Sequence, residues 1–143
     1  TLIMVLEFIP ALILTPILGL YELFLIHHDE NFRGSHWIGH GLSIFPTLFI
    51  GLLIVFNVPY FLELTNLSNV SSFLGNVWVI RAIVGLIIML RIHAQSAVVK
   101  TTIGSSKGLK ETWMHTLVIG VLIVASPLYW PLIEPLIKSI IPI

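Results

Sequence analysis

Charge and cysteine are what this sequence has least of. Only 10% of its 143 residues are charged, and none is cysteine. A water-soluble domain carries about 25% charged residues, so this chain cannot cover a water-facing surface with polar groups. The absence of cysteine excludes disulfides, thiolate metal sites and cysteine nucleophiles. The formal net charge of zero gives no basis for a nucleic-acid partner.

Apolar sequence is abundant: it makes up 57% of the chain, and the mean hydropathy is +1.02. A helix needs about 20 apolar residues to cross the hydrocarbon core of a bilayer. None of the apolar segments alternates between polar and apolar residues, so helices rather than strands are predicted. Four segments are long enough, at about 2–26, 37–62, 73–99 and 111–130. We therefore expect an all-α membrane protein in which residues 1–143 form one domain, an up-and-down bundle of four transmembrane helices.

Prolines fall inside the first two segments, and Pro46 and Pro59 interrupt the second. Proline is tolerated in membrane helices, so kinks rather than breaks are predicted.

The tail after residue 130, PLIEPLIKSIIPI, is predicted to be a short C-terminal amphipathic segment lying along the membrane interface. The tryptophans lie near segment ends, as in interfacial aromatic belts: they are Trp37, Trp78, Trp113 and Trp130.

The basic residues predict the orientation of the bundle. Most of them lie at or near the first and third loops: Arg33, Arg91, Lys100, Lys107 and Lys110. Because cytoplasmic loops carry an excess of Lys and Arg, this side is predicted to face the cytoplasm, with both chain ends outside. The expected location is the cell (plasma) membrane, with the lipid bilayer as one partner.

All six histidines lie on the same side as these loops, four of them in HHDENFRGSHWIGH at 27–40. Their depth is more informative than their sidedness. A helix rises about 1.5 Å per residue, so each predicted span carries one ligand-type side chain one to two turns below that face. These four side chains are Glu22, His40, His93 and His115. We expect them to form one shared polar layer.

This layer has the composition of a metal site. Three imidazoles and one carboxylate suit zinc, copper or iron, and such sites are built between the facing helices of a bundle. The candidate metal ligands are Glu22, His40, His93 and His115. The alternative is a buried hydrogen-bond network without a metal, in which Glu22 pairs with Arg91 or Arg33. The sequence leaves both open.

A haem b is a second cofactor that the pattern allows. It needs two imidazoles facing each other across the bundle, and the candidates are His40 or His93 together with His115. In architecture the chain resembles cytochromes of the b561 type, which are small bundles whose helices carry histidines. Those proteins place histidine pairs near both membrane faces, whereas this chain has histidines near one face, so at most one haem would fit.

Three stretches carry a further resemblance: HDENFRGSHWIGHGLSIFP, IHAQSAVVK and KETWMHTLVIG. They resemble small four-helix accessory subunits of archaeal ammonia monooxygenase, a membrane copper enzyme. The resemblance implies a subunit that supports a copper-bearing partner rather than oxidising a substrate alone, and it assigns no catalytic residue.

Small size favours the same interpretation, because a bundle of this length without a large water-soluble domain has no obvious substrate site. We therefore expect a non-catalytic accessory subunit of a membrane-bound oxidative or respiratory complex, with other membrane subunits as partners. The alternative is a four-helix protein that itself binds haem b or a His/Glu-ligated metal near the cytoplasmic face for electron transfer.

Overall fold

The computed structural model describes residues 5–28, 36–103 and 113–142, and the side chains of 5–24, 42–94 and 113–142. The described residues form helices and turns, without a strand among them, which confirms the all-α prediction for this part of the chain. The helices are α1 (Ile9–His28), α2 (His36–Phe56), α3 (Val58–Thr65), α4 (Leu67–Val70), α5 (Val77–Ile103) and α6 (Trp113–Ile140).

Helix α2 is central, because it packs against α1, α5 and α6. Helices α5 and α6 also pack on each other, and α1 contacts α6. The core between them is aliphatic; its fully buried side chains include Leu14, Ile44, Leu48, Leu52, Ile92, Ile119 and Ile123. Large apolar side chains such as Leu20, Leu86 and Val121 are exposed on the outer faces. Such faces suit lipid, which is as apolar as leucine.

Two helices are long and apolar enough to cross a membrane, α5 over Val77–Ala94 and α6 over Trp113–Ile140. A third span exists if α2 and α3 are taken together, although they bend by 72° at their junction. Helix α1 is also apolar, but its described apolar part, Ile9–Phe24, is shorter. The described residues thus contain two or three candidate spans, which indicates a membrane protein.

The second predicted segment does not continue straight to residue 62. Helix α2 ends at Phe56, and α3 begins at Val58 in a new direction. Pro59 lies in the first turn of α3, where its fixed φ and missing N–H suit the start of a helix. Helix α2 continues through Pro46. The expectation that proline would not break the helix is therefore right at Pro46 and wrong at Pro59.

The C-terminal tail is not a separate segment, which corrects the prediction. Helix α6 continues through Pro127, Pro131 and Pro135 and has 28 residues. Prolines four residues apart lie along one helix face, so the hydrogen bonds on the other faces persist. At about 1.5 Å per residue α6 is about 42 Å long, more than the roughly 30 Å of the hydrocarbon core. Its last turns therefore extend the bundle rather than forming a distinct element.

The longer α6 changes the environment of Trp130. This side chain is only 7% exposed and packs edge-to-face on Phe56, with 6.3 Å between ring centroids. The belt prediction is therefore wrong for Trp130. Trp78 and Trp113 are exposed near the beginnings of α5 and α6, where belt residues are expected.

Asn57 lies at the break between α2 and α3 and is only 3% exposed. Its backbone N–H bonds to the Ile54 carbonyl, so the Leu53 carbonyl loses its usual helical donor. The Asn57 side-chain amide donates to that Leu53 carbonyl at 2.7 Å and to the Glu7 carbonyl at 3.0 Å. Its amide oxygen accepts the Glu7 N–H at 2.6 Å. Asn57 thus joins the residues before α1 to the bend.

The Val55 carbonyl has lost its donor to the same break. In a continuous helix it would accept the N–H of residue 59, but that residue is proline. The Nε–H of Arg81 donates to it instead, at 3.0 Å, from α5. A side chain of a neighbouring helix therefore replaces the missing backbone donor.

Pro127 in α6 also leaves a carbonyl without its helical donor, and a side chain of the same helix replaces that donor. The Ile123 carbonyl has no N–H at position 127 to accept from. The hydroxyl of the fully buried Ser126 donates to this carbonyl at 2.6 Å. At Val55 and Ile123, polar side chains thus supply the hydrogen bonds that Pro59 and Pro127 remove.

We expect Asn57→Ala to lower the free energy of unfolding by about 2–3 kcal/mol, because it leaves the Leu53 and Glu7 groups without hydrogen-bond partners in a buried site. Asn69 is exposed and provides the matched control. Asn69→Ala should change stability by less than about 0.5 kcal/mol. Unfolding of the purified chain in detergent micelles measures both, and equal effects would contradict the role of Asn57.

The role of Ser126 is testable by a double-mutant cycle with its neighbour. Ser126→Ala alone should cost roughly 1–2 kcal/mol, because the Ile123 carbonyl loses its replacement donor. In a Pro127→Ala background, residue 127 again has an N–H, and the same substitution should cost roughly 1 kcal/mol less. Thermal unfolding of the four proteins gives the coupling. A serine effect independent of residue 127 would refute the explanation.

Candidate functional site

Glu22 lies on the buried face of α1, which it shares with Ala11, Leu14 and Leu18. These residues are three to four positions apart, the spacing of one helix face. The Glu22 side chain is 0% exposed, so the chain itself encloses a carboxyl group inside the bundle. A carboxyl group in such a place requires a proton, a hydrogen-bonding partner or a cation. Burial therefore agrees with the sequence-based expectation for Glu22.

His93 on α5 is also buried, at 5% exposed. Its ring stacks on the indole of Trp113, with 3.6 Å between centroids and 14° between ring planes. Trp113 is the first residue of α6, and the partly buried His115 follows two residues later. The stacking thus brings His93 to the end of α6 that carries His115, as the predicted layer requires for these two residues.

The stacked pair restricts the orientation of the imidazole. A ring held parallel to an indole cannot tilt without losing its contact, and a protonated imidazole there gains a cation–π attraction. An imidazole that ligates a metal or haem also needs its ring plane fixed, usually by neighbouring groups. The arrangement therefore suits either a packing role or a ligand role for His93.

The remaining members of the predicted layer are only partly placed. His40 belongs to the first turns of α2, but its side chain lies outside the described residues. Arg33, a predicted partner of Glu22, lies outside them as well. Arg91 is exposed on α5, so it does not share the buried environment of Glu22. The four-residue metal site and the haem pair therefore remain predictions.

Among the side chains that the structure describes, no three His, Asp or Glu groups lie close enough together to hold a metal ion. Helices α1 and α5 both pack against α2 and α6. His40, on the central helix α2, is the remaining candidate ligand of the predicted site. The imidazole and carboxylate donors suit copper, zinc or iron.

The contact between His93 and Trp113 was not predicted from the sequence. Trp113 was predicted to lie in an interfacial belt, although a belt residue can still contact a buried neighbour through one ring face. Their positions in the sequence could have indicated the contact, because His93 lies near the predicted end of one span and Trp113 near the start of the next. Antiparallel neighbours bring such residues to one level.

Comparisons with protein-family models, curated proteins and solved structures found no match to this chain.

Two substitutions of His93 separate its packing role from a ligand role. His93→Phe keeps a flat ring on Trp113 and removes both ring nitrogens, whereas His93→Ala removes the ring. If His93 only packs, Phe should keep most of the stability and Ala should cost roughly 2–4 kcal/mol. If His93 is a ligand, both variants should lose bound metal or haem.

Thermal unfolding, elemental analysis and a visible spectrum of the purified variants distinguish these outcomes. Leu90→Ala, at an exposed position one turn earlier on α5, is the control and should affect neither property. Metal or haem content unchanged in His93→Phe would exclude His93 as a ligand.

Proposed function

We propose that this chain is a small accessory subunit of a membrane-bound oxidative or respiratory complex, such as a copper membrane monooxygenase. In this proposal it crosses the bilayer four times, with α1, α2 together with α3, α5 and α6 as the spans. The histidine-bearing loops face the cytoplasm, and both chain ends lie outside the plasma membrane. The chain docks on catalytic subunits and carries out no reaction itself.

The observation that carries the proposal is that buried and partly buried polar side chains form hydrogen bonds to the backbone of the bundle. Asn57, Arg81 and Ser126 all donate to main-chain carbonyls of the chain itself. The buried Thr15 hydroxyl likewise donates to the Ala11 carbonyl, at 2.6 Å. These bonds stabilise bent helices and direct polar groups to the backbone rather than to a bound substrate. This use of polar side chains is what we expect of a structural subunit.

The outer surface supports the same interpretation. Exposed large apolar side chains occur on every long helix, for example Leu12, Ile50, Leu90 and Leu132. A bundle with such faces can be surrounded by lipid and by other membrane helices at once. The resemblance noted in the sequence suggests the class of partner, a copper-bearing membrane oxidase chain.

The alternative function, a carrier of haem b or of a His/Glu-ligated metal, is favoured by the burial of Glu22 and His93. Enclosing two ionisable side chains within one small bundle costs free energy unless each is paired, neutral or bound to a cation. In this alternative His40 and His115 complete the ligand set. Electron transfer near the cytoplasmic face would be its activity.

Purification of the tagged full-length chain from its native membranes in a mild detergent tests the proposal. We expect it to migrate on a native gel as part of an assembly much larger than its own 16.0 kDa, and copper to be present in that assembly. The chain dissociated from the assembly should lack stoichiometric metal and a Soret band. A free chain carrying one haem or one metal ion would instead establish the alternative.

A further inference from the structure

A groove runs along the outer surface between α5 and α6. It has a volume of about 350 Å³, within the range of about 300–1,000 Å³ typical of ligand sites. Gly85 and Gly120 lie in its floor, where each helix approaches the backbone of the other. The exposed side chains of Leu86 and Val121 lie on its rim. The groove is therefore open toward the lipid rather than toward the centre of the bundle.

The length of the groove matches one lipid leaflet. On α5 it extends from Trp78 to Met89, and on the antiparallel α6 from Leu128 to Leu117. Eleven helical steps correspond to about 16 Å, and half of a hydrocarbon core is about 15 Å. Its lining is apolar throughout this length, apart from the indole N–H of Trp78. An extended acyl chain has the length and polarity to lie there.

A cation lies beside one end of this groove. The Arg81 guanidinium is 4.7 Å from the centroid of the Trp78 ring, which lines that end. Among the described residues, Arg81 donates only through its Nε, to the Val55 carbonyl. Within the described part of the chain, Arg81 has no acidic partner. Its terminal N–H groups can therefore bind an anion, and a guanidinium matches a phosphate in geometry and charge.

We propose that this groove binds an anionic phospholipid, with one acyl chain between α5 and α6 and its phosphate on Arg81. Charge complementarity selects a lipid over a transmembrane helix as the occupant, because a helix would bring apolar side chains to a cation in the second turn of α5. The headgroup then lies on the face of the membrane opposite the histidine-bearing loops. This site is independent of the proposed accessory function.

The test uses the full chain purified in detergent and native mass spectrometry with added dioleoyl phosphatidylglycerol. The wild-type chain should retain one lipid. Ala82→Leu, which fills the groove beside Trp78, and Arg81→Gln should each weaken retention roughly tenfold or more. The same changes outside the groove, Ala94→Leu and Arg91→Gln, should leave it unchanged; both positions are exposed on α5.

Two further ligands separate the contribution of the acyl chains from that of the phosphate headgroup. Dioleoylglycerol, which has the same chains without phosphate, should bind at least about tenfold more weakly, because it lacks the charged group. Excess inorganic phosphate should not displace the phospholipid, because it cannot fill the groove. Displacement by phosphate, or equal binding of dioleoylglycerol, would overturn the proposal.

Arg81→Gln also removes the bond to the Val55 carbonyl, so its folding must be checked by circular dichroism. Ala82→Leu leaves that bond in place and decides the result if Arg81→Gln does not fold. Full lipid retention by Ala82→Leu would refute the site. A wild-type dimer that Ala82→Leu dissociates would show that a second protein helix occupies the groove, and would refute it as well.

Discussion

A proline within a membrane helix leaves the carbonyl four residues earlier without its helical donor, and the hydrocarbon core offers no water in its place. This constraint accounts for the most specific contacts of the bundle. Arg81 donates to the Val55 carbonyl that faces Pro59, and Ser126 donates to the Ile123 carbonyl that faces Pro127. Two of the few polar side chains of the bundle are thus used to replace donors that prolines remove.

The bend in turn connects parts of the chain that are distant in sequence. Asn57 ties the residues before α1 to the end of α2, and Arg81 ties that same end to α5. The opposite end of the bundle is organised differently, by a buried carboxyl at Glu22 and by the stacking of His93 on Trp113. One end thus has polar groups devoted to the backbone, whereas the other holds ionisable side chains suited to a ligand or to packing.

The lengths of the apolar segments were enough to predict a helical membrane protein and the approximate positions of its long helices. The break at Asn57 was missed because Pro46 and Pro59 look alike when only their presence is counted. Their surroundings differ, since Asn57 precedes Pro59 closely and asparagine favours helix ends. The burial of Trp130 was missed because α6 was expected to end there. The burial of Glu22 and His93 was anticipated from depth, but the stacking partner of His93 comes from another helix, and no local pattern specifies it.

The bond between Arg81 and the Val55 carbonyl has a consequence for the order in which the chain is built. The partners of Asn57, namely Glu7 and Leu53, precede it in the sequence and have already emerged from the ribosome. Arg81 follows Val55 by 26 residues. A nascent chain that has inserted only α1 to α3 can therefore close its first hairpin but still lacks one donor. The hydrogen bonds of the turn between α2 and α3 are therefore complete only when α5 packs against it.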